Sequence, residues 1–104
     1  MATVHVLAII TAQPGRRAEL LSAFQASVPN VHAEEGCIEY VATIDAEGAG
    51  SVQTRFGEDT FVVVEQWASL DALKAHAAAP HMAAYAARTK ELVASRVLHV
   101  LSPV

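Results

Sequence analysis

The chain has 104 residues with a formal net charge of −4; 53% of them are apolar and 17% charged. That is room for one core and one domain, residues 1–104, and there is no basic run to hold nucleic acid. Cys37 is the one cysteine, which excludes an internal disulfide and fits a cytoplasmic setting, while the apolar stretch Val4–Ile10 is too short to cross a membrane.

Thr3–Thr11 is β-branched and almost wholly apolar, the pattern of a strand buried on both faces. Gln13-Pro14-Gly15 breaks it, and Pro14 suits a first helical turn. From Arg16, the residues Leu20, Leu21, Phe24, Val28 and Val31 recur at helical spacing, leaving Arg16, Arg17, Glu19 and Gln25 for water. Pro29 is expected to kink or restart this helix and Gly36 to stop it. Cys37–Asp45 reads as a second strand with Ile38, Tyr40, Ala42 and Ile44 on one face. Ala46–Asp59 carries three glycines and reads as a long hairpin connection whose tip extends at Val52–Phe56.

Thr60–Trp67 is the third strand, with Phe61, Val63, Glu65 and Trp67 pointing one way and Val62, Val64 and Gln66 the other. Ser69 is placed to cap a helix from Leu70 to about Ala77. Pro80 opens another to about Ser95, with Met82, Tyr85, Thr89, Leu92 and Val93 near one stripe. Arg96–Leu101 is the last strand.

The order β-α-β-β-α-α-β predicts an α+β fold: a ferredoxin-like split βαβ with a four-stranded antiparallel sheet and helices on one face. The other sheet face is also apolar, and no residues remain to build a third layer. A second copy of the chain is the expected cover, making a homodimer through that face.

Three stretches carry a family likeness: Ala12-Gln13-Pro14-Gly15-Arg16; Ala33-Glu34-Glu35-Gly36-Cys37-Ile38-Glu39-Tyr40; and Glu65-Gln66-Trp67 through His76, followed by Pro80-His81. Together, in order and over nearly the whole chain, they resemble the antibiotic-biosynthesis-monooxygenase family. The resemblance implies a homodimer of ferredoxin-like protomers, each with a pocket between sheet and helices. Characterised members oxidise quinols or polycyclic phenols with molecular oxygen and without metal or flavin. Others of the fold degrade haem or isomerise small phosphorylated ketones, so fold alone does not name the reaction. Two departures narrow the choice. Leu7, Ala8 and Ile9 stand where some haem-degrading relatives use an asparagine, and Val63 where some phenol-oxidising relatives carry one.

Triplet oxygen reacts slowly with closed-shell molecules unless a phenol or hydroquinone is first deprotonated. That needs a dry pocket, a base titrating near neutrality and donors for the oxyanion. His76 is the expected base, and Trp67 the expected wall, ring-stacking partner and indole donor. His81, Tyr85 and Arg88 follow on the next helix as substrate-binding candidates, Arg88 to balance a phenolate. Glu65, on the face of Trp67, needs a partner if buried: it is a site carboxylate or half of a dimer salt bridge, the bridge being favoured.

Each residue also has a plainer reading. Trp67 would anchor a core, His76 would settle a helix dipole, and Cys37 would be a small buried hydrophobe. His81 would bond a neighbouring backbone group, and Tyr85 and Arg88 would be packing and surface residues. No metal or other cofactor is expected, because His76 and His81 lie five apart across a proline and no His-Glu-x-x-His pattern is present. The expected activity is a cofactor-independent monooxygenase acting on a quinol or related small aromatic. The alternatives are an isomerase of a small keto compound and a non-catalytic dimeric ligand-binding or stress-response module.

Overall fold

Strand β1 (Val4–Ala12) buries Val4, Val6, Ala8, Ile10 and Ala12 on one face and is an inner strand of the sheet in the computed structural model, which describes residues 2–104. It pairs antiparallel with β3 (Thr60–Trp67) on one side and with β4 (Val93–Leu101) on the other. Strand β2 (Cys37–Thr43) lies outside β3, so the order is β2-β3-β1-β4. The strands that flank helix α1 (Arg17–His32) in sequence are thus separated by a third, the split βαβ arrangement expected.

Helices α1, α2 (Leu70–Ala77) and α3 (Pro80–Thr89) cover the face of Val6, Phe61 and Trp67. Leu20, Phe24 and Val31 of α1 enter this core, as the helical spacing requires. Phe24 stacks on Tyr40 at 5.3 Å and meets Phe61 edge-on at 5.7 Å. Ser69 caps α2 by accepting from the Ala72 amide.

Four local expectations are corrected. Helix α1 does not restart at Pro29: Gln25 and Pro29 are both exposed, so the carbonyl that loses its amide partner faces water. Residues 93–95 are strand, not helix; α3 ends at Thr89 and a 3-10 turn, Lys90–Leu92, hands the chain to β4. Pairing decides that boundary, since Val93 sits opposite Ala12 and the Leu92 carbonyl accepts from the Gln13 amide. The 46–59 connection makes a 3-10 turn at Gly50–Val52 and has no strand at its tip. Its return is tied by Asp45, whose carboxylate accepts from the Phe56 and Gly57 amides at 3.0 and 2.9 Å. Finally, a register shift between Cys37 and Glu39 leaves Ile38 out of the alternation and 54% exposed, away from the face of Tyr40.

The opposite sheet face carries Leu7, Val41, Val97 and Leu101, each more than a third exposed, with Ile9, Val62 and Val64 between them. Edge strand β4 is uncovered on both sides, because Leu98 and Val100 on the helix side are also exposed. Among the described residues no helix is long and apolar enough to cross a membrane.

Candidate functional site

The site is assembled by the turn between α1 and β2. Gly36 holds φ +86°, and a Cβ there would lie 2.6 Å from the Cβ of Ala72 on α2. Its carbonyl accepts from the Ala68 amide at 2.8 Å. Only glycine allows both the left-handed backbone and this close approach. The turn is therefore pressed onto α2, and Glu34 reaches the helix's last turn.

There Glu34 Oε2 accepts from His76 Nδ1 at 2.8 Å, and His81 Nε2 from the start of α3 lies 3.2 Å from the same oxygen. The second contact has ion-pair distance without hydrogen-bond alignment; both His81 ring nitrogens are buried and lack a hydrogen-bond partner. Exposure grades outward, from 7% for the His76 side chain through 17% for Glu34 to 28% for His81.

Beneath them lies an aromatic floor. The His76 ring is 4.6 Å from Trp67 at a tilt of 33°, and 5.4 Å from Tyr40 in an edge arrangement. Trp67 is fully buried, and its indole Nε1 donates to Glu65 Oε1 at 3.0 Å. Burial pushes the Glu65 carboxyl up, against the Trp67 hydrogen bond and the charges of His76 and Arg96, which pull it down. Burial, then Glu65, pushes the Tyr40 hydroxyl well above the usual phenol range. Burial and the carboxylates of Glu34 and Glu65 also push the Cys37 thiol up, which makes it a poor nucleophile.

Of the residues singled out in the sequence, Trp67, His76, His81 and Glu65 come together. Tyr85 and Arg88 form a separate arm: the Arg88 guanidinium lies 5.9 Å over the Tyr85 ring, which meets Phe24 edge-on at 6.4 Å. Stacked rings of Phe24 and Tyr40 lie between that arm and His76. His76 does lie in the last turn of α2, but it is a buried, paired group rather than a surface one at a helix end. The favoured reading of Glu65 as half of a dimer salt bridge is corrected, since Glu65 faces the helices and is bonded within its own chain. The Trp67 donor is likewise engaged, not free. Glu34 and Tyr40 were missed; their only signal was their place in the stretch Ala33–Tyr40, and neither carries a local chemical pattern.

The cluster offers an imidazole held by a carboxylate and packed on two aromatic rings, a group able to accept a proton in a mostly dry setting. Among the described residues no three His, Cys, Asp or Glu side chains group as a metal would need. A cavity of about 330 Å³ lies elsewhere, on the opposite sheet face, lined by Leu7, Ile9, Ile44, Phe56 and Val62 among others and touching neither His76 nor Trp67.

Residues 3–88 match the model of a family described as antibiotic biosynthesis monooxygenase. The chain is 37% identical over 100 residues to an Escherichia coli K12 protein named "Probable quinol monooxygenase YgiN", covering 94% of this chain and 95% of that one. Among solved structures it resembles PA3566 from Pseudomonas aeruginosa, with a TM-score of 0.82 and 25% identity over 100% and 96% of the two chains. Rv0793 from Mycobacterium tuberculosis is similar too, with a TM-score of 0.79 and 28% identity over 99% and 96%.

Proposed function

This chain belongs to the antibiotic biosynthesis monooxygenase family, and on that premise we propose that it oxidises a quinol or related phenol with molecular oxygen. One observation carries the choice of base: His76 is the imidazole that meets both a carboxylate and the face of Trp67. His76 takes the phenolic proton, and the electron-rich phenolate yields one electron to oxygen more readily than the neutral phenol does. The phenoxyl radical and superoxide join in a carbon–oxygen bond. The resulting peroxide takes the proton back as a hydroperoxide and loses water, leaving one oxygen atom on the ring as a quinone carbonyl. Trp67 walls the site and is itself held by Glu65, so Glu65 bears on the substrate through the indole. His81 lines the wetter approach, while Tyr85 and Arg88 stay on their separate arm as the farther substrate contacts, Arg88 to balance a phenolate that reaches it. No metal or flavin takes part in this scheme.

The working unit in this reading is a cytoplasmic homodimer of one-domain protomers, residues 1–104. The exposed apolar face of Leu7, Val41 and Val97 supports the second copy, which would enclose the cavity on that face at the interface.

Incubation with a reduced quinone in air and under nitrogen tests the activity. Oxygen uptake by the parent, reduced about 10²- to 10⁴-fold in His76→Ala, is the expected result. Turnover of a keto compound under nitrogen would favour an isomerase instead. Ring binding without turnover would favour a binding module.

A further inference from the structure

We infer that Glu34 is the positioning residue for His76: it keeps the imidazole proton on Nδ1 and so makes Nε2 the basic nitrogen. As a contribution to catalysis, this rests on the reading of His76 as the base.

The argument starts from what a carboxylate is able to do. Ionised, it has lone pairs and no proton, so the hydrogen in the 2.8 Å contact with Glu34 belongs to His76 Nδ1. A neutral imidazole has one donor and one acceptor nitrogen, and settling the first settles the second. In a histidine the protonated nitrogen is chosen by the hydrogen bond the ring makes. Among the described residues, Glu34 is the hydrogen-bond partner of the His76 ring.

Packing limits the other freedom of the ring. Trp67 at 4.6 Å and Tyr40 at 5.4 Å hem the ring in, and a flip would set Cδ2 where Nδ1 meets Glu34, so the same hydrogen bond selects the orientation. Orientation and tautomer are therefore set together. When Nε2 gains a proton, the resulting imidazolium stands 2.8 Å from a carboxylate that is only 17% exposed.

The groups facing His76 come from every neighbouring element. Glu34 lies in the α1–β2 turn, Tyr40 on β2, Glu65 behind Trp67 on β3, and His81 on α3. His81 approaches the same Oε2 but without alignment, so it does not displace His76 from that oxygen. Glu34 itself is placed by Gly36, whose contact with Ala72 docks the turn on α2. The carboxylate is thus built into the fold rather than swinging in solvent.

Nitrogen-15 NMR of the histidine rings in the whole protein at pH 8 tests this without requiring turnover. The expected parent spectrum shows a protonated Nδ1 and an unprotonated Nε2 at His76. A proton found on Nε2 with Nδ1 bare would overturn the proposal, and this measurement decides by itself if a variant fails to fold. In Glu34→Ala the proton should redistribute toward Nε2, and kcat on a reduced quinone should fall by at least about 10²-fold, as when a base is left in the wrong tautomer. KM should change far less. A His76 tautomer unaltered by Glu34→Ala would also overturn the proposal. Should the parent leave quinol untouched while both spectra behave as expected, the positioning role stands and the oxygenase reading fails.

Discussion

The Trp67 indole Nε1 donates to Glu65 Oε1 at 3.0 Å, and both side chains are buried. They are two residues apart on β3, so strand alternation sets them on the same face, where the core buries the bond. The pairing satisfies a carboxylate that would otherwise be costly to bury.

Trp67→Phe should therefore destabilise the protein rather than leave it nearly unchanged. The ring loses its donor, and an unsatisfied buried acceptor costs about 1–3 kcal/mol before any packing loss. Adding Glu65→Leu removes the orphaned group and should recover part of that loss. Urea denaturation of the parent and the three variants, taken as a double-mutant cycle, measures the coupling.

Glu65 also makes stability depend on pH. Burial raises its carboxyl in the folded state above its ordinary value. Between the two values the folded chain binds more protons than the unfolded one, so this group's contribution falls as pH rises through that window. Glu65→Gln keeps an acceptor for Trp67 and removes the charge. It should be more stable than the parent at neutral pH, with the advantage gone below about pH 4. Thermal unfolding across pH 3–8 checks the sign; an advantage that grew on acidification would refute it.

Gly36→Ala combines two costs. A side chain in the left-handed region costs about 1–2 kcal/mol, and crowding Ala72 adds about 1–3 kcal/mol. Gly15 has a similar φ of +75° with nothing within 4 Å of an added Cβ. Gly15→Ala should lose only the backbone part, so the difference between the two variants isolates the contact with α2. Chemical denaturation of both measures it.

Leu7→Asp places a charge in the middle of the exposed apolar sheet face, opposite Val64 on β3 and His99 on β4. If a second copy covers that face, the unpaired charge should cost about 3–5 kcal/mol of association. Sedimentation equilibrium should show the parent at twice the 11.0 kDa chain mass and the variant shifted to a single chain. A parent that sediments as one chain at micromolar concentration would dispose of the dimer.

His76→Ala carries a stability cost that a surface histidine would not. The ring packs on Trp67 and Tyr40 and pairs with Glu34, so its removal opens a gap and strips a carboxylate of a donor. A loss of about 1–3 kcal/mol is expected, above the roughly 0.3–1 kcal/mol of an exposed charged side chain at a helix end. Folding should survive it, and circular dichroism with urea titration separates this loss from the fall in turnover.

Much of the architecture was legible in the chain because it rests on short periods. Alternation in Thr60–Trp67 put Phe61, Glu65 and Trp67 on one face, and the stripe from Leu20 to Val31 turned α1 toward the sheet. Ser69 marked a helix start through a bond that spans three residues. The misreadings fall where distant partners outweigh local preference. Residues 93–95 follow helix-favouring sequence, yet pairing with β1 draws them into a strand. Ile38 breaks the alternation only because β2 shifts its register against Trp67 and Gln66.

Composition and periodicity by themselves determined the element order, the split of the third strand's side chains between two faces and the types of side chain available for chemistry: one tryptophan, five histidines and a carboxylate on the face of that tryptophan. Tertiary structure alone decided their partners. Glu34 and His76 are separated by 42 residues, and no local period relates them. Their contact exists because Gly36, lacking a Cβ, lets one turn settle against Ala72. The same packing that engages the Trp67 donor with Glu65 leaves Tyr85 and Arg88 on an arm of their own. Side-chain chemistry is a local property of the chain, whereas the hydrogen-bond partner of a buried group depends on which distant surfaces the core brings together.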